Sequence, residues 1–262
     1  MIRAILFDLD ETLILDEAVC EHAFREAAFV AAQRYSLDLE RLVRTAKTSA
    51  QRLWAQGPYH SYALCIGHSA LEGLWAGYTQ PEVQGLREWA PGYRLAVWRE
   101  ALAEQNVSDE NLLFELVDTW RTARALYPRY PEVDALLSAL SPRYRLGLVT
   151  NGVPDLQRAK IYGSNLASHF QAVAVSGELN VGKPDPKIFE WICARLEVAP
   201  AECVMVGDNP ERDVAGAIQA GMRSVWVDRG FKPRDQRYPA DLEVKNLLAM
   251  LPWLEELARQ QG

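Results

Sequence analysis

The chain has 262 residues, of which 49% are hydrophobic and 24% charged, which is typical of globular proteins with ample material for a core. Its formal net charge of −7 predicts no general attraction to nucleic acid polymers or anionic membranes. The four cysteines form no Cys-x-x-Cys pair, and neither a leader nor an apolar run of roughly 18 residues is evident. We therefore predict a soluble cytoplasmic protein with reduced thiols.

The first predicted element is a short strand that runs into two carboxylates. Residues 4–7 (AILF) form a continuous apolar run, which suits a strand buried on both faces of a parallel sheet. Asp8 directly follows this run, and Asp10 comes where the chain can turn back. In such sheets, ligands bind beyond the carboxyl ends of the strands. Because two adjacent carboxylates repel unless a cation or a proton lies between them, the segment predicts a metal site, acid–base chemistry or both.

Residues 16–127 are predicted to form a helical insertion. They are rich in Ala, Leu, Glu and Arg, which favour helix. The predicted helices cover residues 17–35, 38–56, 61–77, 81–105 and 109–126. Gly-Pro at 57–58 and Pro-Gly at 91–92 are expected to interrupt the helical pattern. Since this block follows the first strand, we expect it to emerge from the active edge of the sheet and to cover the site as a lid.

From residue 128 onward, strands and helices alternate. The predicted strands cover residues 144–150, 172–176, 203–207 and 224–227, and the predicted helices cover 132–140, 155–162, 186–196, 211–220 and 242–259. Alternation of this kind implies parallel strands joined by right-handed crossovers. The predicted fold class is therefore α/β, with a Rossmann-like parallel sheet, helices on both faces and an all-α cap. We assign residues 1–15 and 128–262 to the catalytic core domain and residues 16–127 to the cap domain.

Further polar groups follow the later strands. Thr150 ends the second strand, where its hydroxyl and the following amides suit an anion. Lys183 lies in a loop stiffened by two prolines, and Asp208 follows an apolar strand as Asp8 does. Each residue alone is typical of a turn, a helix cap or a solvated loop charge. On one edge of one sheet, however, carboxylates, a lysine, a hydroxyl and amides predict a magnesium-assisted phosphate site.

Four segments in this order resemble the motifs of the haloacid dehalogenase-like (HAD) hydrolases. These are mostly phosphatases, and the similar subgroup carries a helical cap inserted after the first strand. The segments are DLDETL at residues 8–13, VTNG at 149–152, GKPDP at 182–186 and GDNPERD at 207–213. The resemblance covers the core, roughly residues 1–15 and 130–230, and says little about the cap.

The resemblance implies Mg²⁺-dependent hydrolysis of a small soluble phosphate monoester through an aspartyl-phosphate. It implies that Asp8 is the nucleophile and that Asp10 is the general acid and base. The implied Mg²⁺ ligands are the side chains of Asp8 and Asp208 and the main-chain carbonyl of Asp10. The residues implied to bind the phosphoryl group are Thr150, Asn151 and Lys183, and those implied to support the site are Asp213 and Asn209.

Three alternatives stay open. A phosphomutase shares the core motifs, and a non-catalytic binding module could retain the scaffold. A 2-haloacid dehalogenase is disfavoured, because relatives that displace halide generally lack a residue equivalent to Asp10. Leu15 stands where many relatives carry a polar residue, so this position gives no guide to the substrate.

Overall fold

We analysed a computed structural model of the chain, which describes residues 1–260. These residues divide into two compact units. The first, here called the sheet unit, comprises Met1–Leu15, Tyr127–Gly152 and the chain from Gln157 onward. The second, here called the helical unit, comprises Asp16–Leu126 and Val153–Leu156.

The helical unit is held together by aromatic packing between its helices. Its helices are α1 (Asp16–Ala32), α2 (Leu39–Gln56), α3 (His60–Ile66), α4 (Ala70–Gly73), α5 (Gln84–Ala103) and α6 (Glu110–Arg124). Helix α1 packs on α6, and α2 packs on α5. The ring of Phe24 lies 5.9 Å from Trp98 and 5.3 Å from Trp120, centroid to centroid. Burial of these large rings supplies much of the hydrophobic stabilisation of this unit.

Two expectations for the helical unit were wrong. The single helix predicted over 61–77 is two helices, because Gly67 adopts a left-handed conformation (φ 69°) that ends α3, and Ser69 starts α4 with a capping box. Pro91 does not interrupt α5. Proline removes one backbone hydrogen bond from a helix. Pro91 is exposed, whereas Tyr93, Val97 and Trp98 of the same helix are buried, so packing outweighs that loss.

The sheet unit contains six parallel strands in the order β3-β2-β1-β4-β5-β6. The strands are β1 (Ala4–Phe7), β2 (Arg145–Thr150), β3 (Ala172–Val175), β4 (Cys203–Gly207), β5 (Arg223–Val227) and β6 (Leu242–Val244). Strands β1 and β4 are buried along their whole length because both faces of the sheet are covered. The predicted parallel α/β architecture is confirmed.

Helices of the sheet unit cover the two faces of this sheet. They are α7 (Val133–Leu140), α8 (Pro154–Gly163), α9 (Ser176–Leu179), α10 (Pro186–Arg195), α11 (Ala215–Ala220) and α12 (Leu251–Gln260). The first residues of α8 are counted with the helical unit. Side chains of β1 alternate between two cores: Phe7 packs in the cluster that contains Leu137 of α7, and Leu6 packs in the cluster that contains Phe189 of α10. This alternation fixes the register of the central strand.

The carboxyl-terminal expectation was also wrong in part. The helix predicted over 242–259 begins only at Leu251, because Leu242–Val244 forms β6 beside β5 and Leu247–Met250 is a 3₁₀ turn capped by Asn246. A three-residue strand is too short to show a hydrophobic period. The helix predicted over 211–220 likewise starts as a π-helical turn, Pro210–Val214, before α11. No helix within residues 1–260 has the length and hydropathy needed to cross a membrane.

Candidate active site

The central strands β1 and β4 each deliver an aspartate at the carboxyl edge of the sheet. The amide of Asp8 donates to the carbonyl of Val206 at 2.9 Å. The amide of Asp208 donates to the Thr12 hydroxyl at 3.1 Å, and the Trp226 indole donates to the Asp208 carbonyl at 2.8 Å. These bonds fix the backbone at both strand ends, so both carboxylates start from a rigid part of the sheet.

Lys183 lies between two of three carboxylates that come together there. Its Nζ is 2.6 Å from Asp8 Oδ1 and 2.7 Å from Asp213 Oδ1. One carboxylate oxygen from each of Asp8, Asp208 and Asp213 lies within 4.8 Å of the others. All four residues are buried. We call this group the acidic cluster. It joins residues that the sequence placed at three different positions along the chain.

The turn after β4 holds Asp213 in the acidic cluster. Its Oδ2 accepts a hydrogen bond from the Asn209 amide at 2.9 Å. A Cβ on Gly207 would overlap that same oxygen, so the absence of a side chain lets Asp213 approach the strand end. The Asn209 side chain accepts from the amides of Glu211 and Arg212, both at 3.1 Å. Asn209 therefore shapes the turn that presents Asp213.

Burial and mutual repulsion govern the charges of the acidic cluster. Burial, followed by the charges of Asp8 and Asp213, raises the pKa of Asp208 to about 9. Burial raises the pKa of Asp213 to about 6, although Lys183 opposes this effect. Burial alone would lower the pKa of Lys183, but the charges of Asp213 and Asp8 outweigh it, and the pKa is raised. The lysine is therefore positively charged throughout the physiological pH range.

A divalent cation fits the donor set of the acidic cluster. When ionised, the three carboxylates exceed the single ammonium by two negative charges. Carboxylate oxygens are hard ligands of the kind that Mg²⁺ prefers. A dication beside Asp208 would offset the repulsion that raises the pKa of this residue. The oxygen donors and the uncompensated charge together suit magnesium.

The predicted phosphate-binding residues lie at the end of β2 and in the loop that carries Lys183. The Thr150 hydroxyl donates to Gln157 Oε1 at 3.0 Å. The Asn151 side chain donates to the Lys183 carbonyl at 3.0 Å and accepts from the Lys183 amide at 2.9 Å. The Asn151 side chain thus fixes the loop of Lys183. Its main-chain amide is the group that the sequence interpretation assigned to the phosphoryl oxygens.

The carboxylate of Asp10 is not among the three that come together within residues 1–260. It pairs instead with Lys160 of α8, whose Nζ is 2.8 Å from Asp10 Oδ2. The sequence analysis missed both Lys160 and Gln157. Each is a polar residue in an ordinary helical segment, and both are completely buried. No local signal distinguishes such residues from solvent-exposed helix positions; their distance from Thr150 and Asp10 emerges only from the fold.

A second missed group surrounds the turn after Asp10. The Tyr130 hydroxyl donates to Glu11 at 2.6 Å. The Arg229 guanidinium lies 3.6 Å from the centroid of the Tyr130 ring, pairs with Glu132 at 2.8 Å and donates to the Thr12 carbonyl at 3.1 Å. Burial and the hydrogen bond to Glu11 raise the pKa of Tyr130. These contacts hold the turn whose Thr12 also bonds to Asp208.

Several curated proteins similar to this chain are named as phosphatases. A phosphoserine phosphatase of Thermus thermophilus is 43% identical over 250 residues, which cover 94% of this chain and 96% of the relative. An N-acylneuraminate-9-phosphatase of Rattus norvegicus is 31% identical over 232 residues, or 87% of this chain and 83% of the relative. Both alignments span most of each protein, so the likeness is not confined to short motifs.

Solved structures share the fold along nearly the whole chain. The magnesium-bound HAD-hydrolase YfnB from Bacillus subtilis aligns with a TM-score of 0.67 and 21% identity, covering 97% of this chain and 98% of that one. A 2-haloacid dehalogenase from Pseudomonas syringae aligns with a TM-score of 0.61 and 27% identity, covering 99% and 100%. Residues 2–221 match the family described as haloacid dehalogenase-like hydrolase. The chain therefore belongs to the haloacid dehalogenase-like hydrolases.

Proposed function

We propose that this protein is a Mg²⁺-dependent phosphatase that cleaves the phosphate monoester of a small metabolite through an aspartyl-phosphate. The observation that carries the proposal is the acidic cluster, in which Lys183 contacts Asp8 and Asp213 beside Asp208. A carboxylate nucleophile, a fixed cation and oxygen donors for a metal are what phosphoryl transfer requires. The phosphatases among the similar proteins support the same reaction class.

In the first step, a carboxylate oxygen of Asp8 attacks the phosphorus and the bond from phosphorus to the ester oxygen breaks. Asp10 gives its proton to the departing alkoxide, which leaves as the alcohol. Lys183 stays beside Asp8 and neutralises charge on the phosphoryl oxygens. The Thr150 hydroxyl and the Asn151 amide donate hydrogen bonds to the remaining phosphoryl oxygens.

In the second step, Asp10 accepts a proton from a water molecule, and the resulting hydroxide attacks phosphorus. The bond between phosphorus and the Asp8 oxygen breaks, which releases inorganic phosphate and restores both aspartates. The side chains of Asp8 and Asp208 and the Asp10 carbonyl would hold Mg²⁺, which would supply the charge that lets an anionic nucleophile approach an anionic ester. Asp213 orients Lys183, with which it pairs at 2.7 Å.

The relatives guide the choice of substrates to be tested. We propose a small phosphorylated metabolite, and the first compounds to test are O-phosphoserine, N-acylneuraminate 9-phosphate and glyceraldehyde 3-phosphate, which are named in the similar proteins. Release of inorganic phosphate with Mg²⁺, and its loss with EDTA, is the expected result. Transfer of labelled phosphate between positions of a sugar without release would instead favour a phosphomutase.

A 2-haloacid dehalogenase is the second candidate, because structures with that name share the fold. Halide needs no proton to leave, whereas an alkoxide does, and Asp10 provides a group for that transfer. Chloride release from 2-chloropropionate, measured beside phosphate release from the esters, separates the two reactions. Halide release without phosphate release would overturn the proposed function.

The nucleophile is tested by Asp8→Asn, which keeps the size of the side chain and removes its charge. Turnover of 4-nitrophenyl phosphate should fall by at least about a thousandfold, because Asn cannot form the aspartyl-phosphate. The matched control is Asp109→Asn. Asp109 caps α6 in the helical unit, and Asn caps helices about as well as Asp. An Asp8→Asn protein with parental turnover would refute the assigned nucleophile.

A further inference from the structure

Helix α8 presents two buried polar side chains, one helical turn apart, to two residues of the proposed site. Gln157 bonds to the hydroxyl of Thr150 at 3.0 Å, and Lys160 pairs with Asp10 at 2.8 Å. Positions three apart on a helix lie on the same face. One face of α8 therefore contacts both the phosphoryl-binding hydroxyl and the acid–base carboxylate.

Helix α8 and the end of β2 lie in close contact. Gly152 has a φ of +141° and follows Thr150 by two residues. A Cβ on Gly152 would overlap the side-chain amide of Gln157. Only a glycine permits this approach, so the chain after β2 lies directly against the polar face of α8. The position of that face relative to the strand ends is thereby fixed.

A contribution to stability does not by itself explain why Lys160 is buried. Its side chain is 0% exposed, whereas the Asp10 side chain with which it pairs is 27% exposed. Removing an ammonium from water is costly, and replacement of a buried ion pair by apolar residues is often neutral or stabilising. A methionine at this position would pack at less cost. The fold alone therefore gives little reason for a lysine here.

We propose that Lys160 is a positioning residue that orients the carboxylate of Asp10 for proton transfer to the leaving group. The inference rests on the proposed function, in which Asp10 is the general acid. Proton transfer requires the donor to lie within hydrogen-bond reach of the ester oxygen. Lys160 holds one carboxylate oxygen from the buried face of α8, and this restricts the directions in which Asp10 can point. Lys183 pairs with Asp8, so the two aspartates contact different lysines.

The test compares two aryl esters that differ in how much their leaving groups need a proton. Phenolate is basic and benefits from a general acid, whereas 4-nitrophenolate is stabilised by its nitro group and leaves without much assistance. Lys160→Met should lower kcat/KM for phenyl phosphate by about 10–100-fold, the usual effect of losing a group that orients a functional residue. For 4-nitrophenyl phosphate, kcat/KM should fall by less than about threefold. Lys160→Arg, which keeps a buried cationic donor, should recover most of the activity on phenyl phosphate.

Lys187→Met is the matched control, because Lys187 is an exposed lysine in α10. This variant should leave kcat/KM unchanged for both esters. A melting curve with and without Mg²⁺ checks the fold of Lys160→Met, which should keep the stabilisation by Mg²⁺ because the acidic cluster is intact.

Three outcomes would overturn the inference. Equal loss on both esters, or no loss on either, would mean that Lys160 does not act through the general acid. A folded Lys160→Arg that is as impaired as Lys160→Met on phenyl phosphate would mean that a cation is not what the site needs. If the parent protein releases phosphate from neither these esters nor the metabolites named above, the proposed function fails as well; if it cleaves both esters, only the inference is at stake.

Discussion

Replacing Lys183 by Met should destabilise the sheet unit strongly when no divalent cation is present. The ammonium contacts Asp8 and Asp213 at 2.6 and 2.7 Å, and Asp208 lies in the same acidic cluster. Its removal leaves three buried carboxylates without a cation. Breaking a buried ion pair by removing one partner costs about 3–5 kcal/mol. For a chain of this size, that free energy corresponds to a fall of roughly 6–20 °C in the melting midpoint.

The size of this effect should depend on pH in a defined direction. Without the lysine, the cluster relieves repulsion by binding one more proton than the parent protein does. Above the ordinary pKa of aspartate, the folded variant therefore holds a proton that its unfolded chain does not hold. Because of this difference, the stability of the variant falls as pH rises. The difference in free energy of unfolding between Lys183→Met and the parent should therefore shrink by about 1.4 kcal/mol for each unit of pH lowered, from about pH 8 down to the pKa of about 6 at which Asp213 of the parent takes up a proton as well.

Thermal unfolding followed by circular dichroism, in EDTA and in Mg²⁺, measures both effects. The difference between variant and parent should be large in EDTA at pH 8, smaller in EDTA at pH 5 and smaller in saturating Mg²⁺ at pH 8, since the dication supplies the missing positive charge. A Lys183→Met protein as stable as the parent in EDTA at pH 8 would refute the electrostatic account. So would a difference that does not respond to either Mg²⁺ or pH.

Two further substitutions test the geometry and the charge of the acidic cluster. Gly207→Ala places a Cβ where Asp213 Oδ2 lies, so it should lower the free energy of unfolding by about 1–3 kcal/mol and Mg²⁺-dependent turnover by at least about tenfold. In the control Gly92→Ala the added Cβ meets open space, and turnover should not change. Equal effects of the two substitutions would contradict the argument. Asp208 of the folded parent has a pKa of about 9, so its protonation makes the parent less stable as pH rises, and an asparagine at this position cannot bind this proton. In EDTA, the Asp208→Asn variant should therefore gain stability relative to the parent by up to about 1.4 kcal/mol per pH unit from pH 6 to 8. A stability difference that stays constant over this range would exclude the raised pKa.

The strand ends could be predicted because two local signals coincide there. An apolar run such as residues 4–7 or 203–206 identifies a buried strand, and the aspartate that follows it identifies the polar edge. Parallel topology then brings Asp8 and Asp208 together without any further information. The continuation of α5 through Pro91 and the presence of β6 could not be predicted, because no local signal indicates either of them. Both are decided by neighbours distant in sequence, namely the packing of α5 and the pairing with β5.

Contacts between side chains could not be predicted where the sequence separation is large and the residue types are ordinary. Lys160 and Asp10 are 150 positions apart, and Arg229 and Thr12 are 217 apart. A lysine in a helix is normally solvated, so its type argues against burial. Only the packing of α8 against the end of β2 reverses that expectation. Motifs at strand ends thus locate the groups proposed to react, whereas the residues proposed to orient them depend on the tertiary structure.

In the proposed mechanism, contacts with two separate lysines let aspartates two positions apart take different roles. Asp8 is buried and paired with Lys183, which Asp213 also contacts, and it is the nucleophile of the proposed mechanism. Asp10 is more exposed and is paired with a lysine from another element, α8. Different surroundings are what let two neighbouring carboxyl groups divide nucleophilic and acid–base work. If one lysine served both aspartates, any change at Asp8 during the reaction would also move the proton donor. With two lysines on separate elements, the proposed phosphorylation of Asp8 would alter its contact with Lys183 while Lys160 keeps Asp10 in place for the proposed second step.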